Sequence, residues 1–195
     1  MPRIRAALAS IALVAFATSA MAQERNIQVQ LLAGGYTHTA NLNSTGPNAH
    51  FRPGYNFGTA VGFNANKYIG VHGDFLYGTS EGLGAGVQGL KINRFFVGAH
   101  LELRYPMTER FSPFIFGGAG AVRIDQKGPQ NLESFDHFTK AAGMFGAGMA
   151  YSVKNLPVDI LAEGKLLSYS WNALGYNRNQ WDVAYSLGFA YRFRI

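Results

Sequence analysis

Between Trp181 and Ile195 every large apolar side chain falls on an odd-numbered position and every small or charged one on an even-numbered position. Trp181, Val183, Tyr185, Leu187, Phe189, Tyr191, Phe193 and Ile195 therefore share one face of an extended strand, while Asp182, Ala184, Ser186, Gly188, Ala190, Arg192 and Arg194 share the other. A run of bulky groups this long outsizes the interior of a small closed sheet, which holds only modest side chains. Lipid outside and a polar interior resolve the conflict, provided every strand finds its backbone partners in a closed barrel.

Residues 1–22 are read apart from the fold. Arg3 and Arg5 give a positive start, Ala6 to Ala17 an apolar stretch too short to span a bilayer, and Ala20-Met21-Ala22 a small-x-small cleavage signature. The sequence thus predicts a signal peptide and a mature chain beginning at Gln23. The formal charge of +6 falls to +4 when Arg3 and Arg5 leave, a mild balance that disfavours nucleic acid as a partner of an exported chain. Nothing after Ala22 offers the roughly 20 uninterrupted apolar residues of a membrane helix, so membrane entry has to be by strands. The 24 glycines and 14% charged residues do not resemble a disordered or linker-rich chain, and residues 23–195 read as one domain. With no cysteine, closure falls to ladder hydrogen bonds.

Alternation and turn residues predict eight strands: Asn26 to His38, Tyr55 to Ala65, Tyr68 to Thr79, Lys91 to Tyr105, Phe111 to Ile124, Phe138 to Val153, Val158 to Trp171 and Trp181 to Ile195. Each reaches the roughly 9–11 residues that a tilted membrane strand needs. Long connections (Asn41 to Pro47, Glu81 to Gly89, Lys127 to Asn131, Asn172 to Asn179) alternate with short ones (Asn66-Lys67, Pro106 to Arg110, Lys154 to Pro157). The expected fold is an all-β, eight-stranded antiparallel up-and-down transmembrane barrel of the bacterial outer membrane, with short turns and both termini in the periplasm. A water-soluble closed barrel is the competing fold.

The two-residue period also assigns faces. Tyr55, Phe57, Val61 and Phe63, then Val71, Phe75 and Tyr77, then Phe95, Val97, Leu101 and Leu103 point outward. Phe114-Ile115-Phe116 is apolar on both faces and leaves its strand unassigned. Two aromatic girdles are expected, with Tyr68, Tyr105, Phe111, Tyr151, Tyr191 and Phe193 at one rim and Tyr55, Tyr77, Phe138, Tyr169, Trp171 and Trp181 at the other.

Three segments carry a family resemblance: Gly62-Phe63-Asn64-Ala65-Asn66-Lys67-Tyr68-Ile69-Gly70-Val71, Arg110-Phe111-Ser112-Pro113-Phe114-Ile115-Phe116-Gly117-Gly118-Ala119-Gly120, and Phe189-Ala190-Tyr191-Arg192-Phe193. With them the chain resembles the small outer-membrane β-barrel family, which includes the opacity-type porin-like proteins and the transmembrane domain of outer membrane protein A of Gram-negative cell envelopes. The resemblance implies insertion by the barrel-assembly machinery. It does not specify an activity. Assembly signals in that family usually finish on an aromatic residue, whereas this chain ends Phe193-Arg194-Ile195.

The inward faces collect His72, Asp74, Arg94, His100, Glu102, Arg104, Lys140, Asp159, Glu163, Lys165, Asp182 and Arg192. Both signs inside a narrow lumen predict a paired, hydrogen-bonded charge network, because unpaired buried charges are costly. A gated narrow channel is the alternative if the pairs exchange partners. His72 with Asp74 and His100 with Glu102 could ligate a metal, but at i, i+2 neither has the compact spacing that makes a metal motif specific, so hydrogen bonding is the expected role and no metal or cofactor is expected.

A lipid A-modifying acyl hydrolase is the second alternative. The turn near Lys154-Asn155 is expected to set His137 roughly opposite Ser170 on the lipid-facing wall, with Asp136 and Glu133 nearby, the parts of a Ser-His-carboxylate site. The His-x-Ser arrangement of lipid A deacylase barrels is missing from Ser168-Tyr169-Ser170-Trp171, which disfavours catalysis. Finally, the connections Asn41 to Asn48 and Glu81 to Gly86 read as mobile loops with possible surface ligands, and the cations Arg52, Lys91, Arg123 and Arg178 as contacts to outer-membrane lipid and lipopolysaccharide phosphates.

Overall fold

The strand that bounds the first turn-rich segment pairs with the strand that ends the chain, and this seam closes the sheet. The computed structural model describes residues 25–38, 50–83, 89–128, 137–171 and 178–195; the expected signal peptide lies outside them. The strands are β1 (Asn26–His38), β2 (His50–Phe51), β3 (Gly54–Asn64), β4 (Ile69–Leu83), β5 (Lys91–Arg104), β6 (Phe111–Lys127), β7 (Phe138–Ser152), β8 (Val158–Trp171) and β9 (Arg178–Arg194).

Apart from β2, each strand pairs antiparallel with two neighbours in the ring β1-β9-β8-β7-β6-β5-β4-β3, which returns to β1. The seam runs from Asn26↔Arg194 to His38↔Asp182. The result is a closed eight-stranded antiparallel up-and-down barrel. β2 is a two-residue addition that pairs Phe51 with Gly82 at the far end of β4. No helix among the described residues is long and apolar enough to cross a membrane, which leaves crossing by strands untouched.

Most strand limits follow the alternation, and the departures have one cause. β4 runs past Thr79 to Leu83, β6 past Ile124 to Lys127, and β9 begins at Arg178. Pairs such as Ser80↔Ile92 and Glu81↔Lys91 carry polar residues into the ladder, where backbone pairing decides the limit and side-chain hydropathy does not.

The connections 65–68, 105–110 and 153–157 and both strand ends Asn26 and Arg194 share one rim, here the terminal rim; the longer connections share the other, the loop rim. Polar side chains shape the terminal turns. Asn66 Oδ1 accepts from the amides of Tyr68 and Ile69 at 2.7 and 2.9 Å, and Thr108 Oγ1 accepts from the amide of Phe111 at 2.9 Å. Asn155 takes φ 63°, the left-handed conformation that asparagine tolerates.

The outer wall is apolar, with Val61, Val71, Val97, Ile115, Phe145, Ile160 and Leu187 exposed and Leu187 68% accessible at mid-strand. Tyr77 packs against Tyr55 and Phe95 near the loop rim, and Tyr191 against Phe193 near the terminal rim. Two residues expected in the girdle lie elsewhere. Tyr169 is buried in the lumen because odd positions of β8 face inward, and Phe138 packs against the core.

The interior is less polar than the alternation implies. Phe114 and Phe116 turn inward and Ile115 outward, which settles the unassigned strand. Leu32, Leu76, Ile92, Phe96, Val122, Ile124, Leu161 and Leu167 join them in a buried cluster. Their bulk fits because glycine stands opposite: Phe116 pairs with Gly146 and Phe114 with Gly148, and a Cβ at either glycine would lie 2.4 or 2.5 Å from the facing ring.

Candidate functional site

Alternation places the inward residues on staves, and ring closure decides which staves face each other. β5 and β9 are four staves apart in either direction, as are β4 and β8. Two ion pairs span these diameters: Arg94 Nε on β5 lies 3.3 Å from Asp182 Oδ2 on β9, and Lys165 Nζ on β8 lies 2.7 Å from Asp74 Oδ1 on β4.

The cluster nearest the loop rim centres on Asp182, which is wholly buried. Tyr36 and Tyr169 donate to its Oδ2 at 2.7 and 2.5 Å, Gln180 donates at 3.1 Å, and His38 Nδ1 bonds to Oδ1. Arg94 donates from Nε to Tyr169 at 3.0 Å and from Nη1 to Ser80 at 3.1 Å, and its guanidinium lies over the rings of Tyr36 and Phe51. His38 Nε2 is 2.8 Å from Ser80 Oγ. Ser80, His38 and Asp182 thus repeat the bonding order of a hydrolase triad. Here, however, the serine oxygen also accepts from Arg94 and the carboxylate from two tyrosines, a dense network suited to rigidity more than to nucleophilic attack.

The middle cluster joins Asp74 to His100 through Nδ1 and to Lys165, which also pairs with Glu163 at 3.4 Å. His72 and His100, directly opposite in the β4–β5 register, stack with centroids 5.0 Å apart. Nearest the terminal rim, Arg104 binds Glu102 Oε1 at 2.7 and 2.9 Å, and Asp159 takes Arg192 at 3.2 Å, Arg104 at 3.7 Å and the Ser152 hydroxyl at 2.7 Å.

Of the twelve inward charges expected from alternation, eleven take part in these ion pairs or in the histidine stack. Lys140 stays outside them, its ammonium 5.9 Å from the Phe138 ring. Sequence reasoning missed His38, Ser80, Tyr36, Tyr169, Gln28 and Gln30. Extending the two-residue period from Gln28 and Gln30 along β1 would have placed Tyr36 and His38 in the lumen.

The expected His137 and Ser170 site is not assembled. The β7–β8 ladder ends at Ala142↔Tyr169, a register that carries Ser170 alongside Ala141, four residues short of His137. Four residues of strand are about 13 Å, far beyond a hydrogen bond. Ser170 Oγ instead lies 3.4 Å from Asn179 Oδ1. Asp136 and Glu133 lie outside the described residues. Of the rim cations, Arg52 and Lys91 are exposed, Arg123 pairs with Asp125 at 3.0 Å, and the Arg178 side chain lies outside the description, as do the expected loop segments Asn41 to Asn48 and Gly84 to Gly86.

The family described as outer membrane protein beta-barrel domain matches residues 8–194. No curated protein matches the sequence. Among solved structures, Neisserial surface protein A (NspA) is similar at a TM-score of 0.61 and 12% identity, over 87% of this chain and 97% of that one. A major outer membrane protein from Thermus thermophilus gives 0.54 and 12%, over 87% and 99%. OprG from Pseudomonas aeruginosa gives 0.50 and 14%, over 89% and 97%. At such identities the likeness concerns the fold.

Proposed function

Because the chain belongs to the family of outer membrane protein β-barrel domains, we propose that it is a barrel closed to ion flow, whose role in the bacterial outer membrane is structural or lies in surface interaction. Location in the outer membrane follows from the family. The closed lumen is supported chiefly by the two diametric pairs, Arg94–Asp182 and Lys165–Asp74, which tie opposite staves together across the bore. Aromatic rings and aliphatic side chains fill the space between the charged clusters, so a hydrated ion would have to displace both.

In this reading the terminal rim faces the periplasm, since short turns belong there and longer connections outside. Export relies on the signal peptide of residues 1–22, and insertion on the barrel-assembly machinery acting on β9. In this reading the exposed Arg52 and Lys91 at the loop rim would bind lipopolysaccharide phosphates by charge-assisted hydrogen bonds, and surface ligands would meet the connections beyond them. In this reading the chain is not an enzyme, which the register that carries Ser170 away from His137 supports.

Single-channel recording in planar bilayers tests the closed lumen. The mature chain should insert without discrete conductance steps. Steady ohmic steps would sink the closed reading in favour of a narrow channel.

A further inference from the structure

His72 and His100 face each other across the β4–β5 ladder, and Glu102 follows two residues along the same inward face, so their donor atoms lie within 4.8 Å of one another. We propose that these three side chains form a binding site for a zinc-like divalent cation inside the lumen. The site goes beyond the closed-barrel role and does not depend on whether the lumen conducts.

Two histidines and one carboxylate are a common donor set for zinc with a fourth position left for water. Each donor is prepared by what holds its other end. His100 directs Nδ1 to the Asp74 carboxylate, and with the proton on that nitrogen Nε2 presents its lone pair. A carboxylate behind a histidine is the arrangement that orients metal-ligating imidazoles. Asp74 is itself anchored by Lys165 at 2.7 Å. Arg104 occupies only Oε1 of Glu102, through both of its contacts, and Oε2 has no partner among the described residues.

His72 is the adjustable ligand. Its nitrogens lie 3.3 Å from the Gln30 amide nitrogen and 3.3 Å from Asn64 Oδ1, longer than a strong hydrogen bond. The ring occupies a slot left by Gly62, where a Cβ would come within 2.2 Å of Nδ1, and by Gly70, where it would come within 2.8 Å of Nε2. The two imidazoles are parallel within 2°, so a cation held at about 2.0–2.1 Å draws them out of the stack toward a common point. The carboxylate end of the site borders open space at the terminal rim. Glu102 and Asn64 line a cavity of about 720 Å³ at the terminal rim, together with the turn residues Lys67 and Thr108.

The test uses the mature chain, refolded in detergent without an affinity tag. Calorimetric titration with Zn²⁺ should give one equivalent per chain, and Co²⁺ a visible band typical of nitrogen and oxygen ligands. His72→Ala and His100→Ala should each weaken binding about 100-fold or more, and Asp74→Asn about 10–100-fold as an orienting partner. His137→Ala, at the loop rim, should leave binding unchanged. Heat-dependent gel mobility checks that each variant is folded; if His100→Ala does not fold, Glu102→Gln takes its place with the same expected loss. Failure to bind one equivalent, binding that persists in folded His72→Ala, or an equal loss in His137→Ala overturns the site.

Discussion

Arg94 and Asp182 sit on staves that lie diametrically opposite, 88 residues apart in sequence, and their Nε and Oδ2 atoms meet at 3.3 Å. Neither side chain reaches water: Arg94 is 1% accessible and Asp182 is wholly enclosed. A buried pair of this kind adds little to net stability when intact, yet leaves a severe defect when halved.

Removing the carboxylate alone should therefore be far worse than removing both charges. Asp182→Ala is expected to destabilise the barrel by about 3–5 kcal/mol, measured by urea unfolding in a lipid or detergent host. Arg94→Met in the same chain should recover much of that loss. Additive losses in the double variant would show that the pair is not coupled.

The slot that holds His72 predicts a steric pair. The three atoms nearest a methyl at Gly62 would all belong to the imidazole of His72, at 2.2 to 2.6 Å. Gly62→Ala should cost about 1–3 kcal/mol by overpacking, and His72→Ala in the same chain should return most of it. Unfolding midpoints of the two single variants and the double variant decide the matter.

Leu187 lies at mid-strand on the lipid face, 68% accessible, while Leu156 belongs to a terminal turn. An arginine at 187 should destabilise by about 2–4 kcal/mol in bilayers, and one at 156 by about 0–1 kcal/mol. Equal effects at the two depths would contradict a membrane belt centred on Leu187.

Purified protein incubated with lipopolysaccharide should release no fatty acid, because the β7–β8 register carries Ser170 alongside Ala141, four residues away from His137. Mass analysis of lipid A provides the check. Release that disappears in Ser170→Ala would restore the hydrolase reading.

Period-two alternation carried most of the fold. It identified the strands of the ring, turned Tyr55 to Phe63 and Val97 to Leu103 outward, and placed His72, Asp74, Arg94 and Glu102 inward. It failed where both faces are apolar, as at Phe114 and Phe116, and where an inward aromatic mimics a girdle residue, as at Tyr169. Hydropathy cannot tell a ring over a facing glycine from a ring against lipid, since both are buried from water.

The pairings within the candidate site were beyond its reach. Alternation fixes the side of the sheet on which a residue lies because successive Cβ atoms point to opposite faces, a strictly local rule. Register, ring closure and the facing of β5 toward β9 or β4 toward β8 depend on ladders formed between segments tens to more than a hundred residues apart. The sequence by itself determined a lipid-facing barrel with charges turned inward. Only the tertiary structure decided that His72 meets His100 beside Glu102, through the register of the β4–β5 ladder, and that Asp182 answers Arg94 and Asp74 answers Lys165, because opposition across a bore is a property of the completed ring.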